Sequence, residues 1–180
     1  MSQDLALSGT PAREEWSPFH LVYLLPRVPV EGIDATGALR AQEREVLDFL
    51  RTIPAHREAH RYAPGKWSLR EVVGHISDAE RILSVRSLAA ARGDRAVYPM
   101  FDEESYTPVS GHGALPLDRL AEQFLAVRRS SLALFSTFDH EAWRRLGNTS
   151  GKLVSARAWA WAIWAHTALH LDTLRTRYLG

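Results

Sequence analysis

The sequence predicts an all-α fold: a four-helix bundle in up-down-down-up order, preceded by an irregular N-terminal extension. Three observations predict it. Four stretches carry apolar residues at helical spacing, the longest connection falls in the middle of the chain, and no convincing run of alternating residues marks strands. The 180 residues suffice for one domain with its own core. They divide into an extension over 1–33 and a bundle over 34–180.

The extension is punctuated by Pro11, Pro18, Pro26 and Pro29, and Phe19–Leu25 within it reads as a short helix or a packed arm. The first helix spans Asp34 to Thr52, with Leu39, Val46, Phe49, Leu50 and Ile53 on one stripe. Pro54 and then Pro64-Gly65 end it. Ser68 is a natural N-cap for the second helix, and Glu71 completes a capping box. That helix continues to Arg92, where Gly93 stops it. The 23 residues from 93 to 115 exceed what an antiparallel hairpin needs. They can carry the chain back along the bundle and make helices two and three parallel. The third helix runs from Leu117 to Phe138, and a loop with Gly147 and Gly151 leads to the fourth, Ser155 to Tyr178.

Composition excludes several classes of function. Lys and Arg number 22 against 21 Asp and Glu, so no basic surplus points to a nucleic-acid partner. With no cysteine, a disulfide framework, a thiolate metal site and a cysteine nucleophile are all ruled out. The first twenty residues carry Asp4, Glu14 and Glu15 and lack the apolar segment of a signal peptide. The longest apolar run, Ala158 to Ala165, is too short to cross a bilayer. A cytoplasmic protein with no membrane partner is expected.

Histidine placement points to metal chemistry. His166 and His170 are spaced i, i+4, so both rings leave one face of the fourth helix, the face that carries Trp159 and Ile163. In the second helix, Val72, His75, Ala79 and Ile82 form an inward stripe. His75 lies roughly 10 Å along the axis from Ser68, and His170 and His166 about 12 and 18 Å from Tyr178. In an up-down-down-up bundle these two helices are antiparallel, and all three rings meet near one level. Three neutral imidazoles suit one divalent ion, zinc or nickel, with positions left open as in a catalytic site. The expected role is Lewis-acid activation, lowering the pKa of a bound water or taking up a thiol as thiolate.

Other candidates receive blander readings. His56 and His60 share the i, i+4 spacing but sit between Arg51 and Arg61 in a stretch broken by prolines, and read as surface. His20, His112 and His140 lie in loop-like sequence. Asp78 follows His75 by three residues and is a candidate general base or hydrogen-bond acceptor behind the ligands; a salt bridge is the competing role. Glu80 and Arg128 are expected to form a buried pair between helices two and three. Trp159, Trp161 and Trp164 read as core or subunit interface, with Trp159 also able to wall a pocket. Asp172 and Arg175 fit surface, interface or supporting roles.

The segment Ala63-Pro64-Gly65-Lys66-Trp67-Ser68-Leu69-Arg70-Glu71-Val72-Val73-Gly74-His75-Ile76-Ser77-Asp78-Ala79-Glu80-Arg81 closely resembles the helix-two signature of the DinB-like, or YfiT-like, metalloprotein superfamily. Pro99-Met100-Phe101-Asp102-Glu103-Glu104 resembles that family's following loop, and Ala165-His166-Thr167-Ala168-Leu169-His170-Leu171 its His-x-x-x-His helix. The resemblance runs from about residue 36 to 178. It implies a four-helix bundle, often dimeric, with a metal on His75, His166 and His170. After the last histidine the chain carries Leu171-Asp172-Thr173-Leu174, where relatives often have Gln or Gly with Ile.

Family members include metal-dependent transferases of low-molecular-weight thiols such as bacillithiol, mycothiol-dependent isomerases, and proteins labelled as metal-dependent hydrolases. The resemblance therefore implies transfer of a bacillithiol-like thiol to an electrophilic small-molecule substrate by a homodimer. A hydrolase using metal-bound hydroxide is the alternative. A non-catalytic, stress-associated metal-binding bundle and a metal-free bundle with satisfied core histidines are the other readings.

Overall fold

Side-chain caps open three of the four long helices, α1, α2 and α4. The Asp34 carboxylate accepts the Gly37 amide at 2.7 Å and opens α1, Ala35–Arg51. Ser68 and Glu71 form the expected reciprocal box, with the Ser68 amide 2.6 Å from the Glu71 carboxylate, and open α2, Leu69–Ala91. α3 spans Leu117–Phe135. It stops three residues before Phe138, where the Ser136 and Thr137 hydroxyls donate to the Ala133 and Leu134 carbonyls. Ser155 caps α4, Ala156–Thr173, which continues through one π-helical turn over Leu174–Tyr178. This computed structural model describes residues 9–18, 20, 24–28 and 33–180.

Hydrogen bonds at the helix ends fix the direction of each helix. Ser87, near the end of α2, donates to the Ala156 carbonyl at the start of α4 (2.9 Å). Tyr178, past the end of α4, donates to the Trp67 carbonyl just before α2 (2.7 Å). These two helices are therefore antiparallel. Glu58 accepts from Arg70 at the start of α2 and from the Leu117 amide at the start of α3, while Arg92 reaches Thr137 beyond their other ends. α2 and α3 are thus parallel. α1 runs parallel to α4, with Gln42 on the Trp164 carbonyl and Glu45 farther along on Arg175, so the order is up-down-down-up and the 93–115 connection does run back along the bundle.

A small sheet departs from the all-helical expectation. β1 (Val97–Tyr98) pairs in parallel with β2 (Leu146–Thr149), which forms an antiparallel hairpin with β3 (Lys152–Ser155). The hairpin turns on Ser150 and Gly151, both at positive φ, as a two-residue loop with right-handed strand twist requires. Gly147 packs on Ala90, so the sheet covers the far end of α2.

Part of the extension also belongs to the core. Trp16, Leu24 and Val28 are buried with Trp159 and Trp161, and Arg157 pairs with Glu15. Most of the Phe19–Leu25 stretch lies outside the described residues. A second apolar cluster, with Val46, Leu50, Leu69, Phe124 and Leu171, fills the other end of the bundle. Between the two clusters lies a polar layer. Arg128 and Glu80 are fully buried and 2.9 Å apart, and Arg128 also donates to the Leu39 carbonyl and to Gln42. Gln42 in turn donates to the Trp164 carbonyl at 2.8 Å, so one network touches all four helices.

Removing one partner of such a buried pair leaves an uncompensated charge. Glu80→Ala should lower unfolding free energy by about 3–5 kcal/mol in urea titrations, whereas the double variant Glu80→Met/Arg128→Met should recover most of that loss. Equal midpoints for the wild type and Glu80→Ala would show that the pair does not stabilise the bundle.

Candidate metal centre

His75 sits in the second turn of α2 and is 3% exposed. His166 and His170 lie on successive turns of α4 and are half-buried. The Nε2 atoms of His75 and His166 are 3.1 Å apart, as are those of His166 and His170. The ligand atoms of all three lie within 4.8 Å of one another. Four-coordinate zinc with bonds of about 2.0–2.1 Å places neighbouring nitrogens roughly 3.4 Å apart, so the spacing suits a shared ion. The donors are also in the right chemical state. Burial, then His170 and His112, pushes the His75 pKa down to about 3. Burial takes His170 to about 4 and holds His166 well below its usual value. Neutral imidazoles present lone pairs, which is what coordination requires. On geometry and donor chemistry, the trio fits a divalent metal.

Aromatic packing orients His75. The Trp67 ring lies 4.8 Å from it, and Phe101 stacks on it at 6.0 Å with a 10° interplanar angle. The Nδ1 atom of His75 is buried with no hydrogen-bond partner among the described residues. Ring packing therefore does the work that a carboxylate or carbonyl does behind many metal-bound histidines. Tyr178 secures Trp67 through its carbonyl, so the end of α4 also braces the histidine of α2. Sequence periodicity gives no hint of Trp67 or Phe101 here, although both stand in the segments that carry the family resemblance. On its open side His170 borders a cavity of about 260 Å³, with Tyr62, Lys66, Trp67, Glu104 and Tyr178 among its walls.

Asp78 faces elsewhere. Its carboxylate accepts from Arg81 at 2.9 Å and lies 3.8 Å from His112 Nδ1. His112 lies in the 93–115 connection, as its loop-like sequence suggests, but is buried, its ring packed over the α2 backbone at Gly74. His20 is buried too, 4.9 Å from the Trp159 ring and 3.0 Å from Ser17 Oγ. Local sequence could not show either, because the burying surface comes from distant helices. His56 and His140 are exposed, and His60 is half-buried near Tyr178. Trp159 and Trp161 are core, and Trp159 does wall a cavity. Arg175 pairs with Glu45 near the surface.

The sequence model of the DinB superfamily matches residues 38–174. The chain belongs to the DinB superfamily. Among solved structures, YfiT from Bacillus subtilis is described as a probable metal-dependent hydrolase with an unusual four-helix bundle topology. It superposes with a TM-score of 0.64 at 15% identity, over 82% of this chain and 91% of that one. A mycothiol-dependent maleylpyruvate isomerase also gives 0.64, at 14% identity, over 77% of this chain and 58% of that one. At these identities the likeness establishes the DinB fold. No curated protein matches the chain in sequence.

Two outcomes follow for this DinB protein. A methyl group at Gly74 would overlap the His112 ring. Gly74→Ala should therefore cost about 1–3 kcal/mol in chemical denaturation, despite alanine's better helix propensity, and Gly74→Ala/His112→Ala should restore stability. The second outcome concerns pH. Folded His75 and His170 stay neutral down to about 3 and 4, whereas the unfolded chain takes up protons near 6.5. Stability of the metal-free protein is thus complete above about pH 6.5 and falls as pH drops toward 4, by up to ~1.4 kcal/mol per unit for each histidine. Urea titrations across that interval measure the slope, and His75→Phe should reduce it by one proton's worth. A flat profile would contradict the burial argument.

Proposed function

We propose that this DinB protein is a metal-dependent enzyme that holds one zinc or nickel ion on His75, His166 and His170. Its reaction is the transfer of a bacillithiol-like thiol to a small electrophile. The observation that carries the reading is the convergence of three neutral imidazoles, one of which, His170, borders a cavity. A divalent ion there supplies Lewis acidity, lowering the pKa of a thiol or water reaching the open side.

The chain's own groups prepare that side. Trp67 and Phe101 exclude water behind His75 and hold its ring in place. Tyr62 and Tyr178 give the cavity an aromatic wall, while Lys66 and Glu104 supply opposite charges for a polar thiol. Glu104 is the carboxylate on that wall, whereas Asp78 is turned toward Arg81 and His112. The proposal includes a homodimer acting on small molecules in the cytoplasm.

A hydrolase is the second reading, favoured by the YfiT neighbour, which matches over 91% of its own length. The same three ligands serve it, with water in place of the thiol.

Elemental analysis of untagged protein should find one divalent ion per chain, and His166→Ala should lower metal affinity at least about 100-fold while preserving helicity. With metal present, bacillithiol or cysteine should accelerate consumption of 1-chloro-2,4-dinitrobenzene. Thiol-independent turnover of 4-nitrophenyl acetate would replace the transferase by the hydrolase. A loaded protein inert to both would make the centre non-catalytic.

A further inference from the structure

Two arginines are buried among the described residues, and they differ in one respect. Arg128 is neutralised by Glu80. Arg86, 6% exposed, has no carboxylate of the described residues within ion-pair distance. Its Nη2 donates to the Pro99 carbonyl at 2.7 Å, and its guanidinium carbon lies 5.2 Å from the centre of the Trp159 ring. These contacts fix its position without balancing its charge. Burial lowers its pKa, yet a guanidinium keeps its proton at neutral pH. An uncompensated buried cation is destabilising. An anion placed against it would offset much of that destabilisation.

The space for an anion is present. Arg86 and Met100 border two cavities. The first, about 250 Å³, lies against Ile82, Phe101 and Tyr106. The second, about 230 Å³, lies against Trp159 and Val154, with Thr149 and the second cation Lys152. Both combine apolar walls with a few polar groups, as small-molecule sites do. A single arginine fork in such a setting matches the two oxygens of a carboxylate better than the higher charge of a phosphate.

We propose that Arg86 anchors a binding site for small organic carboxylates, with the acid group on the guanidinium and the apolar body against Trp159 and Met100. Lys152 supplies a second positive charge at the rim. Arg86 follows His75 by eleven residues, three turns and roughly 16 Å along α2. Trp159 precedes His166 by two turns of α4. The site therefore continues the α2–α4 seam beyond the histidines, and Phe101 is common to both, stacking on His75 and walling the first cavity. Where the metal reading holds, Arg86 would select acidic substrates. Carboxylate binding itself does not require the metal.

Isothermal titration of the full chain with benzoate and with its neutral analogue benzamide tests the proposal. Benzoate should bind at least about tenfold more tightly than benzamide. It should bind His166→Ala as well as wild type, which separates this site from direct coordination. Arg86→Gln should weaken benzoate at least about tenfold, and Lys152→Gln less. Should Arg86→Gln fail to fold, Met100→Trp, a bulkier side chain at an exposed residue that borders both cavities, should abolish binding in a folded protein. Equal affinity for the two ligands, or no benzoate binding up to about 10 mM, would overturn the proposal. So would undiminished binding by folded Arg86→Gln or Met100→Trp, or loss of binding in His166→Ala.

Discussion

Helices α2 and α4 run antiparallel in a register held at both ends, by Ser87 on the Ala156 carbonyl and by Tyr178 on the Trp67 carbonyl. A slip of one turn, about 5.4 Å, would carry His75 out of bonding distance of a common ion with His166 and His170. The same register sets Arg86 against Trp159 farther along the seam. Each end contact is a side chain bonded to a backbone carbonyl, so neither depends on ionisation near neutral pH. The α2–α4 pairing is thus the frame on which both candidate sites are built.

The core that supports this frame is not uniformly apolar. Two hydrophobic clusters fill the ends of the bundle, and polar groups occupy the layer between them. Glu80, Arg128 and Gln42 satisfy one another there and tie the four helices together. The histidine trio is a different kind of buried polar group. Two contacts of 3.1 Å converge on the single Nε2 of His166, which can donate or accept one hydrogen bond but not serve both neighbours equally. A shared cation would resolve that competition and would link the stability of this region to metal occupancy.

Much of this was legible in the sequence because it rests on local rules. Ser68 with Glu71, Asp34, Gly93 and Pro54 mark helix ends through capping and backbone geometry. His75, His166 and His170 fall on apolar stripes with helical period. The parallel arrangement of α2 and α3 could be inferred from the length of the 93–115 connection. What escaped depends on contacts far apart in the chain. β1 has two residues and β2 and β3 four each, too short for alternation to register, and β1 pairs with a strand some fifty residues later. His20 and His112 are polar residues in loops until α4 and α2 cover them. Trp67 and Phe101 come from two different connections and meet only at His75.

Zinc K-edge absorption spectroscopy of the zinc-loaded, untagged protein tests the central claim most directly. The account predicts three imidazole nitrogens at about 2.0–2.1 Å, with one imidazole lost in each of the variants His75→Ala, His166→Ala and His170→Ala. A spectrum lacking imidazole scattering, or one unchanged by His75→Ala, would contradict it.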